Sequence, residues 1–154
     1  MATEATPPPL HRVPGCELCD GVGGVSIWNS PAWRVVRVED AAFPAFYRVV
    51  SNHHVVEFSD LLAHERQRCM NLVCAVERTL IEHLQPTKVN LAALGNMTPH
   101  LHWHVIARFA WDSHFPQPIW GQRQRELLVA DPAGRLPVTL DVLDRLVADA
   151  LSAA

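Results

Sequence analysis

The 154-residue chain has no run of about 20 apolar residues, the length needed to cross a bilayer, so no membrane association is expected. Its first fifteen residues lack the charged-then-apolar pattern of a secretory signal, and the expected location is the cytoplasm. An excess of basic residues is missing too. Thirteen Lys and Arg stand against sixteen Asp and Glu, net −3, which argues against a nucleic-acid polymer as partner because such polymers are held by clustered cations. A small anionic ligand stays open, since a few local donors suffice for one. No internal repeat is present.

Cysteine is sparse, at four residues. Cys69 and Cys74 lie inside a helical pattern and are expected as buried core thiols. Cys16-Glu17-Leu18-Cys19 is a C-x-x-C with three readings. A disulfide framework does not suit a cytoplasmic chain. A redox pair belongs where a strand runs into a helix, whereas Asp20-Gly21-Val22-Gly23-Gly24 breaks a helix here. Half of a zinc site fits best, with two more ligands coming from elsewhere.

Hydrophobic residues make up 49% of the chain, enough for one domain with a proper core. Pro7-Pro8-Pro9 marks residues 1–14 as a flexible tail, leaving 15–154 as the domain. Val25 to Trp28, Trp33 to Val38 and Phe46 to Val50 read as strands, being β-branched and aromatic between turn residues. Ser59 or Asp60 is expected to cap a long helix that stops before Pro86. Leu62, Cys69, Val73, Val76, Leu80 and Leu84 mark its buried stripe, and Leu61, Leu72 and Ile81 lie off it. Lys88 to Leu94 is a fourth strand, a fifth follows, and Leu140 to Leu151 forms an amphipathic terminal helix. Strands come as neighbours rather than alternating with helices. The expected class is therefore α+β, with a mainly antiparallel five-stranded sheet, one long helix and a C-terminal helix.

The fifth strand holds the chemistry. In His100-Leu101-His102-Trp103-His104-Val105 the histidines alternate with large apolar groups. A strand has a side-chain period of two, so three imidazoles fall on one face, about 6.5–7 Å apart, and the apolar groups on the other. Three packed polar rings cost desolvation unless something uses them. Neutral imidazole serves as base, nucleophile or metal ligand. Pro99, with no N–H for a ladder, suits the position before a strand.

This pattern, with Leu94-Gly95-Asn96-Met97-Thr98-Pro99 before it and His114-Phe115-Pro116-Gln117-Pro118-Ile119-Trp120 after it, resembles the histidine triad (HIT) superfamily of nucleotide hydrolases and transferases. The resemblance covers roughly residues 15 to 120 and looks like a bacterial branch. It implies that the middle histidine, His102, attacks the α-phosphate of a nucleotide conjugate, of dinucleoside polyphosphate or nucleoside phosphoramidate type. A covalent nucleotidyl-histidine forms and is then hydrolysed. His104 would donate to phosphate or to the bridging atom, with His100 supporting. The resemblance also points to Asn90 as a phosphate contact and to Glu39 (or Asp40) as a ribose contact. The alternative is a nucleotide- or metal-binding regulatory protein with weak or no catalysis.

Some positions depart from the family pattern. The Gly-Gln-Ser or Gly-Gln-Thr that often precedes the triad is Gly95-Asn96-Met97-Thr98, where Asn96 or Thr98 would take the donor's place. The usual Pro-Arg is Ala107-Arg108, and Arg108 shares the parity of the histidines, so it reaches a phosphate or stands as a surface charge. The Pro-Gly-His before the third strand is Pro44-Ala45-Phe46, without its histidine. Trp28 or Ile27 would line an adenine pocket or pack in the core. Some relatives carry a structural zinc, which implies Cys16, Cys19, His54 and His100 as its ligands here, with His53 the alternative to His54. Relatives of this type are also similar in forming symmetric dimers, so a homodimer is expected, with Phe115 to Trp120 reaching an active site.

Overall fold

The computed structural model describes residues 9–127 and 130–154. Five strands form a single antiparallel sheet: β1 (Val25–Asn29), β2 (Trp33–Arg37), β3 (Phe46–Ser51), β4 (Lys88–Ala92) and β5 (His102–Arg108), in the order β1-β2-β3-β5-β4. Three helices accompany them: α1 (Glu17–Asp20), α2 (Ala63–Leu84) and α3 (Leu140–Ala153). The expected α+β class holds. Among the described residues no helix is long and apolar enough to cross a membrane.

The cross-strand register assigns the two faces. Opposite residues share a face, so Arg48 with His104, Val50 with His102, Phe46 with Ile106 and Asn90 with Ile106 all lie on the histidine side. The other side carries Val35, Tyr47, Val49, Val89 and Val105, all buried, against which α2 and α3 pack. Burying a side chain of this kind stabilises by about 1.5–3 kcal/mol, and most of the core is of this kind. Arg37 Nε and the Tyr47 hydroxyl both donate to Asp144, at 2.9 and 2.7 Å, and so lock α3 onto β2 and β3.

Several boundaries differ from the sequence reading. Neither Ser59 nor Asp60 caps α2. Phe58–Asp60 is its own turn of 3-10 helix, closed by the Glu57 N–H donating to Asp60 at 3.1 Å. The α2 cap is reached backwards, from Glu65 to the Leu62 N–H at 2.7 Å, which leaves Leu62 exposed instead of on the stripe. The helix does stop before Pro86, through a left-handed Gln85. Leu61 and Leu72 are buried within the chain, and only Ile81 of that trio stays exposed. Cys69 is buried, which pushes its thiol up to about 12, whereas Cys74 is only partly covered. β4 ends at Ala92, two residues early.

Of the expected tail 1–14, residues 1–8 lie outside the described residues. From His11 onward hydrogen bonds hold the segment: the His54 N–H donates to the His11 carbonyl at 2.8 Å, and the Arg12 guanidinium donates to the Cys19 carbonyl. Gly24 lets the chain enter β1 close against β2, because a Cβ there would sit 2.5 Å from the Arg37 carbonyl oxygen.

Candidate functional site

β5 begins at His102, not His100. The His100 N–H turns back to the Thr98 carbonyl, at 2.8 Å, just after Pro99. The regular alternation therefore holds for His102 and His104, whose rings lie 4.8 Å apart, while the His100 ring goes elsewhere. Leu101, Trp103 and Val105 pack into or against the core as the alternation requires.

The backbone fixes the tautomers. His102 Nδ1 lies 2.6 Å from the His100 carbonyl oxygen, which can only accept, so Nδ1 carries the proton and Nε2 keeps its lone pair. His100 Nε2 likewise donates to the Ser51 carbonyl at 2.6 Å, leaving Nδ1 with the lone pair. Burial lowers the pKa of all three rings. His104 falls to about 3, with the neighbouring His102 and Arg48 charges adding to the burial. All three are thus neutral at pH 7. His104 also lies against Trp120, ring centroids 4.9 Å apart, and against Phe46, 5.4 Å away. Its Nδ1 is buried without a protein partner.

The freed His100 Nδ1 faces two thiols, with Cys16 Sγ at 3.4 Å and Cys19 Sγ at 3.5 Å, and Cys19 Sγ lies 3.4 Å from His54 Nδ1. The ligand atoms of Cys16, Cys19, His54 and His100 all fall within 4.8 Å of one another. Metal bonds of about 2.0–2.3 Å in a tetrahedron place ligand atoms about 3.3–3.8 Å apart; the three contacts of 3.4, 3.4 and 3.5 Å match that edge, and the remaining pairs, within 4.8 Å, would close slightly around one cation. The Ser51 carbonyl behind His100 is the outer partner that metal-bound histidines normally have. Arg34 holds the knuckle in place, donating to the carbonyls of Leu18 at 2.6 Å and Val22 at 3.0 Å. His53 is turned away, accepting from the His11 N–H at 3.2 Å.

Arg108 is neither a surface charge nor a free phosphate donor. It is buried and forms a two-pronged ion pair with Asp112, at 2.8 and 3.0 Å, and also donates to Asn90 Oδ1 at 2.8 Å and the Gln117 carbonyl at 2.7 Å. Asp112 accepts further N–H bonds from Phe109, His114 and Phe115, and these donors hold its carboxyl below the usual range despite burial. Arg108 thereby clamps the 112–120 loop that lays Trp120 on His104 of the same chain. Asn90 Oδ1 is taken by Arg108, and the Asn90 amide nitrogen makes no hydrogen bond among the described residues.

The other expected contacts are more scattered. Thr98 is partly buried and its hydroxyl donates to Glu17 Oε2 at 3.0 Å, so it braces the knuckle. Asn96 and Glu39 are exposed and make no side-chain hydrogen bond among the described residues. Asp40 instead accepts from the N–H groups of Ala42 and Phe43. Ile27 and Trp28 pack against the helix-side core, with Arg68 over the Trp28 ring, and so do not line the histidine face. Sequence reasoning missed Arg48 and Asp112 altogether. Only the parity of Arg48 within β3 could have signalled its face.

Comparison with known proteins adds the following. The HIT domain family model matches residues 25–111. The fold is similar to that of histidine triad protein blr8122 from Bradyrhizobium japonicum, at TM-score 0.67 and 29% identity over 94% of this chain and 98% of that one. It is also similar to a histidine triad protein from Marinobacter aquaeolei VT8, at TM-score 0.68 and 23% identity over 89% and 94%. A histidine triad nucleotide-binding protein from Sulfolobus tokodaii shares the fold at TM-score 0.56 and 11% identity, over 84% and 85%. No curated protein sequence matches the chain.

Proposed function

The chain belongs to the HIT domain family, and from that we propose that it is a nucleotide hydrolase or transferase working through a covalent nucleotidyl-histidine on His102. One observation carries the reading: Nδ1 of His102 is held by the His100 carbonyl at 2.6 Å, so a neutral ring keeps its Nε2 lone pair for attack. Phosphate esters are anionic, and a neutral nucleophile approaches them without loss of a proton.

In the reaction we propose, Nε2 forms a bond to the α-phosphorus. The bond from phosphorus to the leaving group breaks, and its electron pair departs with that group. His104, 4.8 Å from the His102 ring, donates a hydrogen bond to the phosphate or bridging atom as charge builds there. Water then attacks the phosphorus and breaks the P–N bond, releasing a nucleoside monophosphate and restoring His102. A polyphosphate leaves as its anion, or an amine leaves after its nitrogen has taken up a proton from water. Cys16, Cys19, His54 and His100 would hold a structural zinc. A closed shell of four protein ligands supplies order and leaves no open position for substrate.

The regulatory alternative draws on one observation, that Thr98 is engaged with Glu17 while Asn96 and Met97 are exposed, so the loop before the triad offers the histidines little. The two readings separate in one experiment. A panel of dinucleoside polyphosphates and nucleoside phosphoramidates is followed by product chromatography, with base-quenched samples weighed intact. The expected result is turnover and a nucleotidyl adduct that vanishes in His102→Ala. Turnover surviving that substitution within about tenfold, a ΔΔG‡ near 1.4 kcal/mol, would overturn the nucleophile assignment.

A further inference from the structure

Three arginines, Arg34, Arg48 and Arg108, share the histidine face of the sheet, and Arg48 differs sharply from the other two in how its charge is met. Arg34 donates to the Leu18 and Val22 carbonyls and to Asn52 Oδ1. Arg108 makes four hydrogen bonds, two of them to the Asp112 carboxylate. Arg48, directly opposite His104 in the register of β3 and β5, makes none among the described residues. Its Nε is buried without a partner. The ion pairs among the described residues are Arg37 with Asp144, Arg108 with Asp112 and Arg123 with Glu126, so Arg48 belongs to none of them. Its same-face neighbours are Phe46 and Val50 along its own strand, Val36 across on β2, and His104 across on β5. The guanidinium carbon lies 5.6 Å from the Phe46 ring centroid.

A guanidinium partly covered by apolar groups and imidazoles loses water, and Glu17, the carboxylate that favours its charge, forms no ion pair with it, so the burial costs stability. Such a charge makes physical sense when an anion arrives. Arginine is suited to that task, because its planar fork of N–H donors matches the oxygens of a phosphate. Its position beside His102 and His104 puts the cation where the proposed reaction places phosphate.

We propose that Arg48 is an anion anchor of this site, taking a phosphate oxygen of the bound nucleotide beside His104. The identity of the anion rests on the nucleotide reading above; the existence of an anion site does not. Arg48 is thus a specificity-determining residue that separates nucleotide from nucleoside by its charge, beside the hydrogen bond that His104 gives.

Calorimetric titration of the protein as purified, with pyrophosphate, AMP and adenosine, tests this on wild type, Arg48→Met and Arg48→Lys. A charged hydrogen bond lost to Met should weaken pyrophosphate and AMP about ten- to hundredfold. Adenosine should change by less than about twofold, Lys should restore part of the loss, and the Arg48→Met melting temperature should hold or rise. Pyrophosphate affinity unchanged in Arg48→Met overturns the anchor, as does adenosine weakening as much as AMP. A fall in melting temperature that Arg48→Lys does not repair also overturns it, in favour of a structural role. Wild type that binds none of the three ligands overturns it too. Wild type that binds pyrophosphate but neither AMP nor adenosine, with Arg48→Met losing that binding, upholds the anchor and removes the nucleotide reading. AMP binding that ignores Arg48→Met does the reverse.

Discussion

His100 accepts from the His102 ring through its carbonyl, at 2.6 Å, while its own ring Nδ1 points at the Cys16 and Cys19 thiols, 3.4 and 3.5 Å away. One residue thus joins the proposed nucleophile to the cysteine–histidine cluster. Metal loss should therefore be felt at His102. Cys16→Ser, or chelation, is expected to remove close to one zinc per chain, lower the melting temperature and reduce kcat about 10–100-fold, as loss of outer support does elsewhere. Metal analysis, a melting curve and steady-state kinetics check this together. Metal-free protein with unchanged melting and turnover would remove the zinc.

The Arg108–Asp112 pair should be expensive to break from one side. Asp112→Ala leaves a buried guanidinium without its carboxylate, and a loss of about 3–5 kcal/mol in urea unfolding is expected. Replacing both, with Arg108→Met, should recover part of that loss, which a double-mutant cycle measures. Trp120 fluorescence should report release of the loop in the single variant. Additive losses would show that the two side chains are not coupled.

Acid should destabilise the protein through His104. Its folded pKa is near 3 against about 6.5 unfolded, because burial disfavours the charged ring. Above pH 6.5 both states are neutral there and the contribution is fully present. As pH falls from 6.5 towards 3 the unfolded chain gains a proton that the folded one refuses, so stability drops by up to about 1.4 kcal/mol per pH unit. His104→Asn cannot titrate, and its stability should depend less on pH in that window. Parallel curves for the two proteins would contradict the assignment.

Assembly is expected through β4. That strand is the sheet edge next to β5, and Leu91, Leu94 and Ile81 are exposed around it. An open edge with apolar neighbours invites a second strand. Light scattering should give twice the 17.2 kDa chain mass, and Leu91→Asp should halve it. A wild-type monomer at micromolar concentration would end the proposal.

Much of this was written locally in the chain. The alternation of His102, Trp103, His104 and Val105 fixed the strand and its two faces, and the two-residue gap between Cys16 and Cys19 marked a knuckle. What stayed hidden depends on pairing between distant segments. Arg48 sits in Phe46-Tyr47-Arg48-Val49, where an arginine looks like an ordinary outward charge. Only the register with β5 brings it beside His104. Arg108 suffered the opposite fate, since its parity suggested an available donor while Asp112, four residues on, had already engaged it. The cap of α2 was misplaced because Asp60 satisfies a different turn.

β5 lies inside the sheet, paired with β3 from His102 to Ile106 and with β4 from His104 to Arg108, so that from His104 to Ile106 it is flanked on both edges. The amides of His104 to Ile106 should accordingly exchange with deuterium only when the sheet itself opens, far more slowly than those of 93–99 or 112–120. The reacting rings are thus mounted on one of the stiffest parts of the chain. In the proposed reaction, whatever breathing admits a substrate and frees a product falls to the two loops beside them, and substitutions there should alter the pace of turnover without disturbing the strand that carries the proposed nucleophile.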